Sequence, residues 1–256
     1  MHTVTYEVKN HVGVIIYSNP PLNILTMAGL AEIQEVFRRA DRDPEAHVIL
    51  YSMPMQKKVF CAGMDLDEML AYENTRKYCD VSKEIFATLQ EVKKPTIYVY
   101  DGIIRGGAFE MSLFADFRFC GEATNIALPE ITIGIIPGGG GTQTLTRLVG
   151  EAKAKEIILT GRALKSDELK ELNIVNAVYP SETLLEDALF FAQKMAMTSP
   201  LALQAAKRAI QEGRDATIEA ALRIETSHFV ENFHTHDAHE GIAAFREKRQ
   251  PCYQNK

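Results

Sequence analysis

Residues 96–120 read TIYVYDGIIRGGAFEMSLFADFRFC, and the order of elements within this stretch decides the fold class. Thr96 to Tyr100 is a compact run of β-branched and aromatic residues behind Pro95, as expected of a buried strand. Asp101-Gly102 breaks the run. The glycine pair Gly106-Gly107 then opens a helix, predicted over 107–114, with Glu110 in its first turn. A further apolar run at 117–120 follows at once and is the next strand. Strand, helix and strand at this spacing imply parallel neighbours whose sheet is covered by helices.

The same rhythm extends in both directions. Residues 4–8 and 12–17 alternate as two strands joined around Asn10-His11. From Thr26 onward Leu30, Ile33, Val36 and Phe37 recur at helical spacing until Asp43-Pro44 stops the helix. Residues 48–51 form a short apolar strand, 75–92 a helix ending before Pro95, and 174–178 another strand. Beyond Ser181 the character changes. Segments 182–196, 200–212, 216–233 and 237–248 carry helical periodicity, punctuated by Ser199-Pro200 and Gly213. The expected organisation is an α/β core over 1–181 followed by a helical region over 182–256.

Composition narrows the function classes. A chain of 256 residues with 46% hydrophobic and 24% charged content is long enough to bury a substantial core. Its formal net charge of −6 argues against a nucleic-acid-binding surface, which needs clustered positive charge. No stretch approaches the run of about 18 apolar residues of a membrane span. The N-terminus enters an alternating pattern directly, without a signal or transit pattern, so a cytoplasmic protein is expected. Cys61, Cys79, Cys120 and Cys252 are scattered without a CxxC pair, as expected of free thiols. His234, His236 and His239 are near one another in sequence. However, His234 and His236 fall on different helix faces and lack a Cys or carboxylate framework, so no metal is expected. There is no Gly-x-Ser-x-Gly elbow to supply a serine nucleophile.

Three loops combine glycine with chemistry-bearing residues. Residues 60–66, FCAGMDL, lead from a strand region into a helix whose free N–H groups suit a developing negative charge; a plain tight turn is the alternative. At 101–110 a carboxylate, Glu110, sits in the first helical turn beside Gly107, either as a dipole-favoured acid or as a functional one. At 128–142 Glu130 lies among Ile126, Leu128, Ile131 and Ile133, where partial desolvation would raise its pKa; an exposed loop acid is the alternative. A run of four glycines follows at 138–141. It resembles a phosphate cradle, but no Gly-Lys-Ser/Thr follows and a P-loop is rejected. Two glutamates and two glycine-bearing turns can build a site for a polarised carbonyl only if these loops meet, which sequence physics leaves open.

Taken in order, the stretches 60–66, 106–110, 129–130 and 134–138 resemble the enoyl-CoA hydratase/isomerase (crotonase) family. So do 140–143, 147–150, 159–162 and 240–249, and the resemblance spans about 5–253. It implies a spiral of ββα units with a helical C-terminal trimerisation region, assembled as a trimer or a hexamer (dimer of trimers). It further implies an acyl-CoA thioester substrate, with coenzyme A as part of the substrate and no separate cofactor or metal. Carried over by position, the backbone N–H groups of Met64 and Gly107 form the oxyanion hole, and Glu110 and Glu130 are the acid–base pair. Ala62, Asp65, Leu66, Gly106, Pro137, Gly138 and Lys248 are the expected substrate contacts. Both glutamates being present points to a hydratase. A double-bond isomerase, a hydratase of cyclic dienoyl thioesters and a non-catalytic binding protein on the same fold are the alternatives. Ala108, Ile104, Arg105 and Thr144 depart from the family pattern, and Ile104 and Arg105 are expected to reshape the CoA channel.

Overall fold

The computed structural model describes residues 2–54 and 58–256. The chain opens with an antiparallel hairpin of β1 (Thr3–Lys9) and β2 (Val12–Ser18). Asn10 and His11 turn it at positive φ, the geometry that a two-residue hairpin loop requires. Next come α1 (Met27–Arg42), β3 (Val48–Ser52), β4 (Val59–Cys61), α2 (Leu66–Ala71), α3 (Thr75–Glu91), β5 (Thr96–Tyr100), β6 (Ile103–Arg105), α4 (Gly107–Ser112), β7 (Phe117–Gly121) and β8 (Asn125–Ala127). A short 3-10 turn (Glu130–Ile133) precedes α5 (Gly141–Val149), α6 (Glu151–Thr160), β9 (Leu164–Lys165), α7 (Ser166–Glu171) and β10 (Ala177–Tyr179). Four helices end the chain: α8 (Leu184–Ala196), α9 (Pro200–Gly213), α10 (Ile218–Phe233) and α11 (His236–Glu247).

Two sheets carry the architecture. The larger has the order β1-β2-β3-β5-β7-β10, parallel from β2 onward. The smaller has the order β4-β6-β8-β9. Alternation along the central strands divides the core into two layers. Val12, Val14, Val48, Leu50, Ile97, Val99 and Phe119 meet α8 through Leu184, Ala188, Ala192 and Ala196, spaced four apart on one helical face. Ile15, Tyr17, Ile49, Tyr51, Tyr98 and Tyr100 point the other way, into a core shared with α1, α3, α4 and the small sheet.

α8 begins just past residue 181 and covers a face of the large sheet, so the sheet with its cover reaches Ala196. Two expectations are corrected. The strand expected over 174–178 is displaced to Ala177–Tyr179. Asn173 adopts a left-handed conformation at the end of α7, and the Ile174 and Val175 N–H groups both donate to the Leu169 carbonyl, folding these residues into the helix end. The strands of the small sheet, two or three residues each, are too short to show a period and lie where loops were expected.

The last three helices have a different character. Among the described residues, α10 buries none of its side chains. Ile210, Ile218, Phe229 and Phe245 are exposed. One buried ion pair anchors this region to the core: Lys207 on α9 lies 2.7 Å from Asp116, and its ammonium also donates to the Lys94 carbonyl at 3.0 Å. Asp116 in turn accepts from the Thr96 N–H and hydroxyl at the start of β5. No helix of the described residues is long and apolar enough to cross a membrane.

Candidate active site

The parallel strands of the small sheet bring the three glycine-bearing loops to one end. β4 pairs with β6 and β6 with β8, so the loop after each strand opens beside the next. The loop after β4 is clipped to the segment before α1. The Ala62 N–H donates to the Leu22 carbonyl, the Leu25 N–H to that of Gly63, and the Asp65 N–H to that of Leu25. Buried Asn23 holds the same joint. Its amide donates to the Pro54 and Phe60 carbonyls at 2.7 and 2.8 Å, and its carbonyl accepts from the Cys61 thiol. Asp65 then caps α2, accepting from the Glu68 N–H at 3.0 Å.

Met64 and Gly107 lie against each other. A Cβ built on Gly107 would stand 2.6 Å from Met64 Cγ. Among the described residues, neither the Met64 N–H nor the Gly107 N–H donates a hydrogen bond. Gly107 is the first residue of α4, where N–H groups have no helical acceptor. Gly106 caps it with φ 52°, and a Cβ there would fall 2.8 Å from Glu130 Oε1, so this position needs glycine for both backbone and space.

Glu110 is buried, 3% exposed. Its Oε1 accepts from the N–H groups of Gly139 and Gly141, each at 2.8 Å, while Oε2 has no partner among the described residues. Burial pushes the Glu110 carboxyl up to about 7; the two glycine N–H groups oppose this, and the nearby charge of Glu130 reinforces it. Glu130 begins the 3-10 turn and is half-buried, with Oε2 enclosed and unpartnered among the described residues. Burial raises its carboxyl above the usual range as well. Of the apolar neighbours read in the sequence, Ile126 and Leu128 are buried, whereas Ile131 and Ile133 are exposed.

The four-glycine run therefore cradles a carboxylate of the chain itself. Gly139 admits no side chain, because its Cβ would stand 2.6 Å from the Phe86 ring and 3.0 Å from Glu110 Oε2. Gly138 is looser, 3.5 Å from Cys79 Sγ. Neither Gly139, Gly141 nor Phe86 was singled out individually in the sequence. The glycine run was the available signal, but its partner lies about thirty residues upstream.

Other residues read from the sequence fall as follows. Ala62 and Asp65 are half-buried, Leu66 exposed and Pro137 buried, all on the loops that converge here. Lys248 is elsewhere in the fold. It is the exposed C-cap of α11 with φ 56° and makes no side-chain bond to these loops among the described residues. Ile104 and Arg105, which depart from the family pattern, are both held by β6 and its neighbour. Ile104 is a core residue of β6, and the Arg105 guanidinium folds back onto the Ile104 and Asn125 carbonyls and the Asn125 side chain. Among the described residues there is no cluster of three or more His, Cys, Asp or Glu suited to a metal, and His236 sits beside Asp237 instead.

Two carboxyls raised toward neutrality, beside two N–H donors free of the fold, have the parts of an acid–base catalyst for a carbonyl substrate. The family model for enoyl-CoA hydratase/isomerase matches residues 7–256. The chain is 39% identical over 199 residues to the 2,3-dehydroadipyl-CoA hydratase of Escherichia coli (strain K12), covering 78% of each chain. It is 32% identical over 253 residues to the short-chain-enoyl-CoA hydratase of Clostridium acetobutylicum, covering 98% of this chain and 97% of that one. The crystal structure of enoyl-CoA hydratase from Bacillus anthracis superposes with a TM-score of 0.93 at 33% identity, covering 99% of both chains. The chain belongs to the enoyl-CoA hydratase/isomerase family, and its α/β fold is the crotonase fold.

Proposed function

We propose that this protein is a 2-enoyl-CoA hydratase, a hydro-lyase that adds water across the 2,3 double bond to give a 3-hydroxyacyl-CoA. The observation that carries this reading is the pair Glu110 and Glu130, both partly or fully desolvated: Glu110 stands in the helical turn after Gly107, and the Glu130 carboxylate lies against Gly106. Hydration must deliver O–H and H to neighbouring carbons, which calls for two proton-transfer groups where isomerisation can proceed with one. Relatives named as enoyl-CoA hydratases, at 32–39% identity, support it.

Glu110 takes a proton from water as the oxygen bonds to C3. The C2=C3 electron pair moves through C2 into the thioester carbonyl, and the resulting enolate oxygen is held by the Met64 and Gly107 N–H groups. Loss of one such donor typically costs about 100- to 1000-fold in rate. Glu130, whose carboxyl burial shifts upward, supplies the proton to C2 as the enolate collapses. Oε1 of Glu110 is fixed by two backbone donors, which leaves Oε2 to face the water. This chemistry moves protons only and calls on no metal or redox cofactor. Coenzyme A enters as part of the substrate.

Ala62, Asp65, Leu66, Gly106, Pro137 and Gly138 line the acyl-CoA path in this reading, and Lys248 reaches a CoA phosphate from a neighbouring subunit. The exposed apolar residues of α9 to α11 support a homotrimer or hexamer. Free thiols at Cys61, Cys79, Cys120 and Cys252 suit the reducing cytoplasm.

Crotonyl-CoA with purified protein tests the reaction, followed by the ultraviolet absorbance of the enoyl thioester and by identifying the product. Conversion to 3-hydroxybutyryl-CoA is expected. Glu110→Gln should retain thioester binding and lose turnover by about 100-fold or more. Wild-type turnover in that variant would remove Glu110 from the mechanism. Migration of a 3-enoyl double bond without hydration would make the protein an isomerase, turnover of cyclic dienoyl thioesters alone would move the substrate, and binding without turnover would leave a non-catalytic protein.

A further inference from the structure

Phe86 touches both halves of the site, although it comes from α3, an element that supplies neither glutamate nor either unpartnered N–H. It is fully buried, on the helical face formed with Ser82, Ile85 and Leu89. Its Cε2 stands 2.6 Å from the point a Gly139 Cβ would occupy, and Glu110 Oε2 lies 3.0 Å from that same point. Its Cζ stands 3.7 Å from the corresponding point on Gly107. One ring thus spans from the glycine whose N–H grips Glu110 to the glycine whose N–H is unpartnered. The Phe114 ring packs against it, 6.4 Å away centroid to centroid and tilted by 55°.

We propose that Phe86 is a positioning residue for hydration: its ring is the wedge that sets the spacing of the Gly107 and Gly139 N–H groups and keeps bulk water from Glu110. The inference rests on the hydratase reading above for its kinetic consequence, but not for its effect on the carboxyl. A smaller side chain leaves space beside Glu110 Oε2. Water entering there solvates the carboxylate, and the two glycine N–H groups then dominate, drawing the carboxyl down toward its ordinary range. Of the charged or titratable groups on the packed elements, most of those on α3 (Arg76, Lys77, Asp80, Lys83, Glu84, Glu91) are exposed on its outer side. Glu130 faces Glu110 from the 3-10 turn, Cys79 on α3 faces Gly138, Arg105 on β6 is bound to Asn125, and Arg147 on α5 points outward to Asp215.

Phe86→Leu, with folding verified by circular dichroism, is measured in two ways. In the first, the pH profile of crotonyl-CoA hydration should show its acid limb displaced downward by about one pH unit. At the optimum, kcat should fall roughly tenfold with KM little changed, since donor geometry rather than substrate contact is altered. In the second, infrared difference spectra against Glu110→Gln follow the Glu110 carboxyl directly, without turnover, and should show the same displacement. If Phe86→Leu does not fold, Phe86→Met takes its place. An acid limb and a carboxyl band both unmoved would overturn the proposal, whatever happened to the rate. If the wild-type protein fails to hydrate any enoyl thioester, the hydratase reading falls, and the infrared titration still decides whether Phe86 shields Glu110.

Discussion

Glu110 carries an energetic signature separable from activity. Its carboxyl titrates at about 7 in the folded chain, above the unfolded value near 4.3, so the native state holds this proton more tightly. The associated stabilisation is complete below about pH 4.3 and is lost as pH rises to about 7, after which it is constant. Its full magnitude is about 4 kcal/mol. Denaturant titrations at pH 5 and pH 8 should show the wild type losing about 2.5 kcal/mol more stability across the interval than Glu110→Gln, which cannot titrate. Equal losses in the two proteins would mean that Glu110 keeps an ordinary pKa. Catalysis follows the same group with the opposite preference, because a base must be unprotonated: kcat/KM should fall below about pH 7.

Among elements, the turn from the 3-10 helix into α5 does more than connect them. Its N–H groups orient the base, so its backbone path must remain close to α3 and α4. Two neighbouring substitutions separate this role from a general tolerance of loops. Gly138→Ala places a methyl at ordinary contact distance from Cys79 and should leave stability within about 0.5 kcal/mol. Gly139→Ala drives a methyl into Phe86 and Glu110 Oε2. It should cost about 1–3 kcal/mol as overpacking and lower turnover at least tenfold. Equal effects of the two, read by thermal unfolding and initial rates, would show that the run tolerates side chains and that Glu110 is held in some other way.

At the scale of the whole molecule, the helices past Ala196 present apolar side chains that the chain itself leaves uncovered. Phe245 is 86% exposed, Ile210 73% and Ile218 71%. Clusters of this kind mark interaction surfaces. Light scattering should give a mass of three or six chains at working concentration. Phe245→Glu should shift that distribution toward monomer while the core sheets retain their circular dichroism. A monomeric wild type would defeat the oligomer proposal and, with it, the reach of Lys248 into a neighbouring site.

Much of this protein is legible in the residues alone. β5 and the starts of α4 and β7 follow from the 96–120 stretch, because a buried parallel strand and a helix with a glycine start leave local signatures. Glu110 and Glu130 also stand out, since a carboxylate next to glycine or among apolar residues is unusual chemistry for its position. The small sheet does not show itself, because strands of two or three residues have no period to read. Nor does the fate of the glycine run, which binds a carboxylate from a separate helix rather than a phosphate. Glu110's buried state depends on Phe86, Leu128 and Gly139 arriving from distant parts of the chain, and desolvation is a property of that assembled environment. Local backbone preference and composition act through neighbours in sequence, so the sequence determined the element types, the candidate acids and the family resemblance. Which loops meet, which N–H groups are left without partners and how far each carboxyl is desolvated depend on neighbours in space, and the tertiary structure alone decided them.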